Sequence, residues 1–263
     1  VEHNLLAKER RSEILRELEN LQKVFVTDLC AKYNVSEVTI RKDLHELENR
    51  KLLIRIHGGA MRNLRNESDD DVSIYRKQLY SFKEKKAIGK LAASLINEED
   101  TIILDSGTTT LEIAKNLNSY HNLTIITNAL NIAIELLKYK RFNIFLLGGQ
   151  VRDLSQSTVG PIAESTLKHF YYDKLFLGVD SISIEKGIST PNIEEAYINQ
   201  SMMSIAKETI AVFDSSKFNK RSFAFIAPVN QIHTIVTDNK IPSNIKIQLK
   251  SMKIKVYLAD SEL

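Results

Sequence analysis

Ser36-Glu-Val-Thr-Ile-Arg-Lys-Asp-Leu44, which follows the turn pair Asn34-Val35, decides how this chain is read. Ser36 suits the N-cap of a helix, where its hydroxyl accepts from a backbone N–H that has no partner within the helix. Ile40, Leu44 and Leu47 then recur at i, i+4 and i+7, the spacing of a buried stripe. Glu37, Val38, Thr39, Arg41 and Lys42 are left on the other face. Upstream, residues 8–19 read as a helix with Ile14, Leu15 and Leu18 on one side, and Thr27 reads as the cap of a second helix through Tyr33. Two helices, a tight turn and a basic third helix make a helix-turn-helix, whose last helix enters the major groove of DNA by its first turns.

The flanks agree with this. Val24-Phe25-Val26 reads as a short strand. Leu52–Ile56, a His57-Gly58-Gly59 turn and Ala60-Met61 read as a two-stranded wing, with Arg50, Lys51, Arg55 and Arg62 as its basic residues. On this reading Thr39 bonds a phosphate or base edge, Val38 touches a thymine methyl, Arg41 pairs with guanine and Lys42 with phosphate. Thr27, Ser36, Arg55 and His57 complete the candidate DNA contacts, although His57 reads equally well as a plain turn residue. An Arg-Lys pair is most often a solvated helix face; the cap, the preceding helix and the wing shift the balance to DNA. Cys30 supplies the small side chain that lets the helices approach.

The 263 residues are enough for two domains, and 43% hydrophobic with 26% charged residues is ordinary for a globular chain. A net charge of +3 is too small to argue for nucleic acid, so that argument rests on where the charges lie. One cysteine excludes an internal disulfide and zinc-finger ligand sets and fits a reducing compartment. The six histidines show no close pairing, and neither a metal nor a cofactor is expected. No apolar run approaches the ~18 residues of a membrane span, and the charged start Glu2–Arg11 is unlike a signal peptide. The expectation is a cytoplasmic protein with no membrane association.

Arg62–Ser81 loses periodicity, contains Asp69-Asp70-Asp71 and reads as a linker ending in a helical turn around Tyr75–Tyr80. From Lys83 a helix runs to Ile96. Beyond it, apolar runs at Thr101–Leu104, Leu123–Ile126, Phe142–Leu147, Leu175–Val179, Thr209–Phe213, Thr234–Thr237 and Lys253–Leu258 alternate with helical patterns at Leu111–Leu117, Asn128–Leu137, Pro161–Phe170 and Ile193–Ala206. Such alternation predicts a mostly parallel sheet covered on both faces. The expected division is a winged helix-turn-helix domain over 1–62, a linker over 63–82 and an α/β effector domain over 83–263.

Asp105-Ser-Gly-Thr-Thr-Thr110 follows the first of these strands and is read as opening a helix at Leu111. Helix-start N–H groups, a permissive Gly107 and the hydroxyls of Ser106, Thr108, Thr109 and Thr110 form an anion cradle, with phosphate as the guest. One hydroxyl would suffice to cap a helix; four in five positions favour a ligand. Thr127-Asn128 and Gly148-Gly149 end the next two strands, and ligands of open parallel sheets bind outside carboxyl ends. Arg152 reads as a phosphate partner or a surface residue. Asp180 and Lys217 stand beyond two further strands, Lys217 as a neutralising charge or a surface lysine. Lys186, Glu194 and Glu195 are candidates for acid or base work near a sugar, although their spacing does not show it.

The pattern Arg10-x3-Ile14-x3-Leu18-x17-Ser36-x2-Thr39-Ile40-Arg41-Lys42-Asp43-Leu44 resembles the signature of the DeoR family of bacterial transcriptional regulators. Asp105-Ser-Gly-Thr-Thr109, Thr127-Asn128, Gly148-Gly149, Gly178-Val-Asp180 and Asp214-Ser-Ser-Lys-Phe218 are similar, in order, to its effector-domain motifs, so the resemblance spans nearly the whole chain. It implies a Rossmann-like α/β effector domain resembling ribose-5-phosphate isomerase and CoA transferase folds, which senses phosphorylated sugars. Asp105, Gly107, Thr108 and Thr109 would form the phosphate loop, Asn128, Gly148 and Gly149 would border the pocket, and Lys217 would face the ligand. Ser181 departs from the glycine of many members and would narrow that pocket.

The resulting expectation is a sequence-specific regulator, a repressor of a sugar operon, held on a double-stranded DNA operator as a homodimer or homotetramer and released by a phosphorylated sugar. Activation uses the same linkage with opposite sign. It is not expected to be an enzyme. The alternative is a phosphosugar isomerase with an appended DNA-binding module, in which Glu194 or Glu195 with Lys186 and Asp180 abstract a proton beside a carbonyl.

Overall fold

The computed structural model describes residues 6–50, 52–62 and 71–260, and the chain divides into two compact units, Val1–Phe82 and Lys83–Leu263. Lys51, the Arg62 side chain and Asp69-Asp70 lie outside the described residues. The first unit holds α1 (Ala7–Leu21), β1 (Lys23–Phe25), α2 (Val26–Tyr33), α3 (Glu37–Asn49), β2 (Leu53–Ile56), β3 (Gly59–Arg62) and α4 (Ile74–Lys77). Ile14 and Leu18 of α1, Leu29 of α2 and the Ile40, Leu44, Leu47 stripe of α3 meet in one core, which Leu79 also enters.

Ser36 caps α3 as its position demands, accepting from Thr39 N at 3.3 Å, and Asn34 takes the left-handed conformation that ends α2. Thr27 does not cap. Strand β1 runs directly into α2, whose N-cap is Phe25, and Val26 N–H is already bonded to Gly58 O of the wing turn at 2.8 Å. Thr27 therefore sits inside the first turn, 3.3 Å from Asp28 Oδ1. The wing gains a strand over the expected two, in the order β1-β3-β2. A Cβ on Gly59 would lie 2.1 Å from Val24 O, so this close strand approach requires glycine.

The second unit runs α5 (Phe82–Ala93), β4 (Thr101–Leu104), α6 (Thr108–Ala114), β5 (Thr124–Thr127), α7 (Leu130–Leu137), β6 (Asn143–Leu146), β7 (Gln150–Arg152), β8 (Ser157–Val159), α8 (Pro161–Leu167), β9 (Lys174–Gly178), β10 (Ser181–Ser183), β11 (Gly187–Thr190), α9 (Ile193–Ile205), β12 (Glu208–Val212), β13 (Ala224–Ala227), β14 (Thr234–Asp238), α10 (Ser243–Ser251) and β15 (Lys255–Ala259). Its main sheet has the order β15-β14-β12-β9-β4-β5-β6, with every neighbouring pair parallel. Each apolar run feeds both faces. Ile103, Leu175, Leu177 and Ala211 face one core layer, while Ile102, Leu104, Phe176 and Ile210 face the other.

Strands succeed one another outward from β4 in one direction and from β9 in the other. The topological switch point, where a crevice opens at the carboxyl ends, therefore lies between β4 and β9. The hairpin β7-β8, the antiparallel sheet β10-β11-β13 and helix α10 have no counterpart among the expected elements. Ser-Thr-Val, Ser-Ile-Ser and Gly-Ile-Ser-Thr carry no apolar run, and α10 buries only Ile245 and Leu249. Among the described residues no helix is long and apolar enough to cross a membrane.

Candidate functional site

In the first unit α3 presents Val38, Arg41 and Lys42 to solvent, and His45 one turn further along the same face. His45 was not among the expected contacts, although its spacing from Lys42 and Arg41 places it there. Arg41 is not a free reader, because its Nη2 lies 2.9 Å from Glu37 Oε2 one turn back. Reaching a guanine means exchanging that carboxylate for the base. The Thr39 hydroxyl lies 3.0 Å from Ser36 Oγ and is shared with the cap. In the wing His57 is exposed and Arg55 half-buried, with its Nε unpartnered, while Arg50 is held by Glu46 at 2.6 Å.

What aims α3 is a buried ion cluster. Asp43 points inward and receives Arg10 Nε at 2.6 Å on one oxygen and Arg11 Nε at 2.8 Å on the other. Arg41, Lys42 and Asp43 are consecutive, yet the helical turn sends the first two to solvent and the third to the interior. Cys30 packs half-buried against the core, and burial foremost, then Glu37, pushes its thiol up, which keeps it protonated and suits a packing role.

In the second unit groups from several elements meet at the switch point. Asp105 follows β4, fully enclosed, with Oδ2 accepting from Gly178 N at 3.2 Å across the switch point. Leu104 pairs with Thr127, so Asp105 and Asn128 are lateral neighbours at the ends of β4 and β5. Each carries a buried oxygen without a hydrogen-bond partner, Asp105 Oδ1 and Asn128 Oδ1. Asn128 Nδ2 donates to Thr158 O of β8 at 3.3 Å, which leaves its carbonyl oxygen as the open position. Asn199 of α9 comes near Asp105 without a well-formed bond to Oδ1.

The expected phosphate loop is shorter than read. Helix α6 begins at Thr108, three residues earlier than expected, with Gly107 as its N-cap. Thr108, Thr109 and Thr110 are thus its first turn and are buried, and Thr110 Oγ1 donates to Gly107 O at 3.1 Å. Gly148 is exposed, while Gly149 has φ of 137° and a Cβ there would sit 2.7 Å from Val159 O.

Arg152 is neither a surface residue nor an open phosphate partner, since its Nη1 lies 2.8 Å from Glu195 Oε1 with both side chains nearly enclosed. Glu195 Oε2 lies 3.3 Å from Thr190 Oγ1, which lies 3.0 Å from Asp180 Oδ2. β7, β11, α9 and the end of β9 are thereby joined in one polar chain. Ser181 turns to Ser222 at 2.8 Å, so its hydroxyl is engaged. Lys186 is exposed in the β10-β11 turn, away from this chain, and Glu194 is bonded through its N–H to the Asn192 cap. Lys217 ends the short 3-10 turn Ser215–Lys217. Beside it, burial pushes the Asp214 carboxyl upward, but Lys85, Lys217 and the Ser216 N–H outweigh that and hold it below the usual range.

Burial dominates at Asp105, where it and the nearby Glu195 outweigh hydrogen bonds from Ser106, Gly178 and Asn199 and push the carboxyl up to about 8. A neutral acid therefore stands in the crevice at neutral pH. Between about pH 4 and 8 the folded protein keeps a proton that the unfolded chain has released, so stability drawn from this site falls as pH rises through that window. Asp105→Asn is expected to melt above the parent at pH 8–9 by several °C, roughly 2–4 °C per kcal/mol recovered, and to lose that advantage near pH 4. Melting curves across this range test it; a pH-independent difference would contradict the burial account.

Residues 10–66 match the family model described as DeoR-like helix-turn-helix domain, and residues 81–239 match the DeoR C terminal sensor domain. A protein of Escherichia coli O157:H7 named for repression of the aga operon is 38% identical over 250 residues, 95% of this chain and 93% of that one. Transcriptional repressor AccR of Agrobacterium fabrum is 34% identical, covering 96% and 98%. The lactose phosphotransferase system repressor of Staphylococcus epidermidis is 35% identical, covering 88% and 92%. Ribose 5-phosphate isomerase A of Methanocaldococcus jannaschii aligns at TM-score 0.38 and 15% identity over 52% of this chain and 54% of that structure, too distant to bear on function.

Proposed function

The chain belongs to the DeoR family of transcriptional regulators, and from that premise we propose that it represses a sugar operon from the cytoplasm and leaves its DNA when a phosphosugar fills the crevice between β4 and β9. One observation carries the effector part: Asp105 Oδ1 and Asn128 Oδ1, side by side and buried, both lack a hydrogen-bond partner, Asn128 Oδ1 as an acceptor and the protonated Asp105 carboxyl as a hydroxyl donor. Buried polar atoms are rarely left unsatisfied, and sugar hydroxyls, which both donate and accept, suit this pair. The phosphate goes to the Ser106–Thr110 backbone, where N–H groups at the start of α6 favour an anion. Asp105, assigned to the phosphate loop by resemblance, then serves the sugar. Being protonated near neutrality, it does not repel the dianion. Lys217, whose charge already acts on Asp214, is the counter-charge for the phosphate.

Titration calorimetry with candidate phosphosugars and their dephosphorylated forms tests this. The phosphorylated form is expected to bind, with affinity falling as pH passes about 8 and Asp105 ionises. Equal affinity for both forms would reduce the α6 start to a structural turn. A coupling of roughly 1–3 kcal/mol between the two ligands, a 5- to 150-fold loss of operator affinity, is enough for release.

On the DNA side, Arg41→Ala is expected to lose roughly 1–3 kcal/mol at the operator alone. Lys42→Ala should weaken all sequences alike and flatten the salt dependence by about one unit of slope. A gel-shift salt series separates the two; unchanged operator binding in Arg41→Ala would remove α3 as the reader. Two copies on two half-sites about one DNA turn apart are part of this proposal. So is the division into a DNA-binding domain over 1–62, a linker over 63–82 and an effector domain over 83–263. The enzyme alternative is disfavoured, because Lys186 is exposed and Glu195 is engaged by Arg152 and Thr190. Isomerised product from a candidate phosphosugar would revive it.

A further inference from the structure

We infer that the β6 edge of the main sheet is the surface on which a second copy of this chain pairs. The two edges of that sheet are built differently. At β15 the flanking and outward positions carry Lys253 and Lys255, both exposed, the charged guard that keeps a free edge from pairing. β6 itself has the sequence Asn-Ile-Phe-Leu, with no charge; the exposed Arg141 flanks it as Lys253 flanks β15, but its guanidinium is turned to Leu117 O and Asn118 O. Asn143 N donates to Leu123 O, just before β5, and Leu147 N to Thr127 O at its end, so by alternation the N–H groups of Ile144 and Leu146 point out of the sheet.

Apolar side chains collect around this unpaired edge. Phe145 and Leu146 are exposed on the strand itself, an unusual state for a strand of a parallel sheet. Ile134 and Leu137 stand out from α7, which packs on β6, and Ile162 from α8, which lies against Gly148 just past the strand. Tyr171 is 91% exposed beside Phe170, whose ring packs tilted against Phe145 with centroids 5.1 Å apart. Scattered exposed apolar residues are normal, but six around one strand that itself carries no charge are a patch.

A second copy fits better than any other occupant. An edge strand pairs antiparallel with its own copy about a two-fold axis, so every outward N–H meets a carbonyl and each apolar residue meets its equivalent. At roughly 100 Å² for each of the six side chains, the patch offers about 600 Å² per copy, close to the ~800 Å² per partner of a standard stable interface. The inference rests on the two-copy part of the reading above and gives it a location.

Sedimentation of the full chain over a dilution series tests it. Leu146→Lys is expected to raise the dissociation constant of one association step by at least ~30-fold, because both copies then bury an unpaired charge at the axis. Ile134→Lys, on an exposed helix face where folding is not at stake, should act in the same direction. Phe223→Lys, 80% exposed and outside this surface, should leave association unchanged. A parent that sediments as a monomer overturns both the two-copy reading and this surface. An oligomer that tolerates both lysines, or that only Phe223→Lys dissociates, overturns the surface alone.

Discussion

Asp43→Ala is expected to unfold the DNA-binding unit while the second unit keeps its own melting transition. The carboxylate lies at the centre of a buried cluster, with Arg10 on one oxygen and Arg11 on the other, and Arg10 is itself almost fully enclosed. Truncation removes the carboxylate that both guanidiniums share, inside the protein where Arg10 is almost fully enclosed. Breaking a buried pair in this way costs roughly 3–5 kcal/mol, a large share of the ~5–15 kcal/mol that holds a typical domain. In a unit of this size each kcal/mol moves the midpoint by about 4–8 °C, so the first calorimetric transition should fall by at least about 12 °C. Operator binding should vanish at temperatures where the effector-domain transition is untouched. Replacing both partners, Arg10→Met with Asp43→Leu, should recover much of the loss, since matched apolar residues escape the desolvation cost. A shift of only one or two degrees in Asp43→Ala would mean that water screens the cluster despite its burial.

Asn128→Leu is expected to separate stability from response. The wild-type side chain is fully buried, with one weak bond to Thr158 O and an oxygen that no donor reaches. Leucine of similar volume removes an unsatisfied acceptor, so the melting midpoint should hold or rise. For a phosphosugar the same change removes one acceptor and leaves a ligand hydroxyl facing a methyl group. That should weaken effector binding by roughly 10- to 100-fold. The variant should bind operator as the parent does and fail to release it, a superrepressor behaviour read by gel shift with added phosphosugar. Parent-like release would exclude the β5 end from the effector site. Lower stability with lower affinity would make Asn128 a structural residue.

Much of this was legible in the chain because it depends on neighbours in sequence. A cap, a stripe at i, i+4 and i+7 and a left-handed Asn34 are settled within about one helical turn, so α3 was visible as a helix and as a groove reader. Seven apolar runs of parallel-sheet character fell within a few residues of the observed strands for the same reason, since each is buried on both faces whatever its partners. Ser36 capped as expected, whereas Thr27 did not, because β1 runs into α2 at Val26, whose N–H is bonded to Gly58 O more than thirty residues away, and Thr27 falls inside the first turn.

What lay beyond the sequence was decided by contacts across tens of residues. Arg10 and Asp43 both stand in the family pattern, yet only the packed first unit joins them. The family pattern also placed Asp105 and Asn128 near one another, but only the register of β4 on β5 made them lateral neighbours with two open oxygens. Arg152 met Glu195 because a hairpin of three-residue strands folds β7 over α9, and no local pattern marks such a hairpin. The raised Asp105 carboxyl belongs to this class as well, since burial is a property of the closed fold. Short-range hydrogen bonding and periodicity write the elements into the chain; the charge state and the open valences of the site appear only once distant segments exclude water from it.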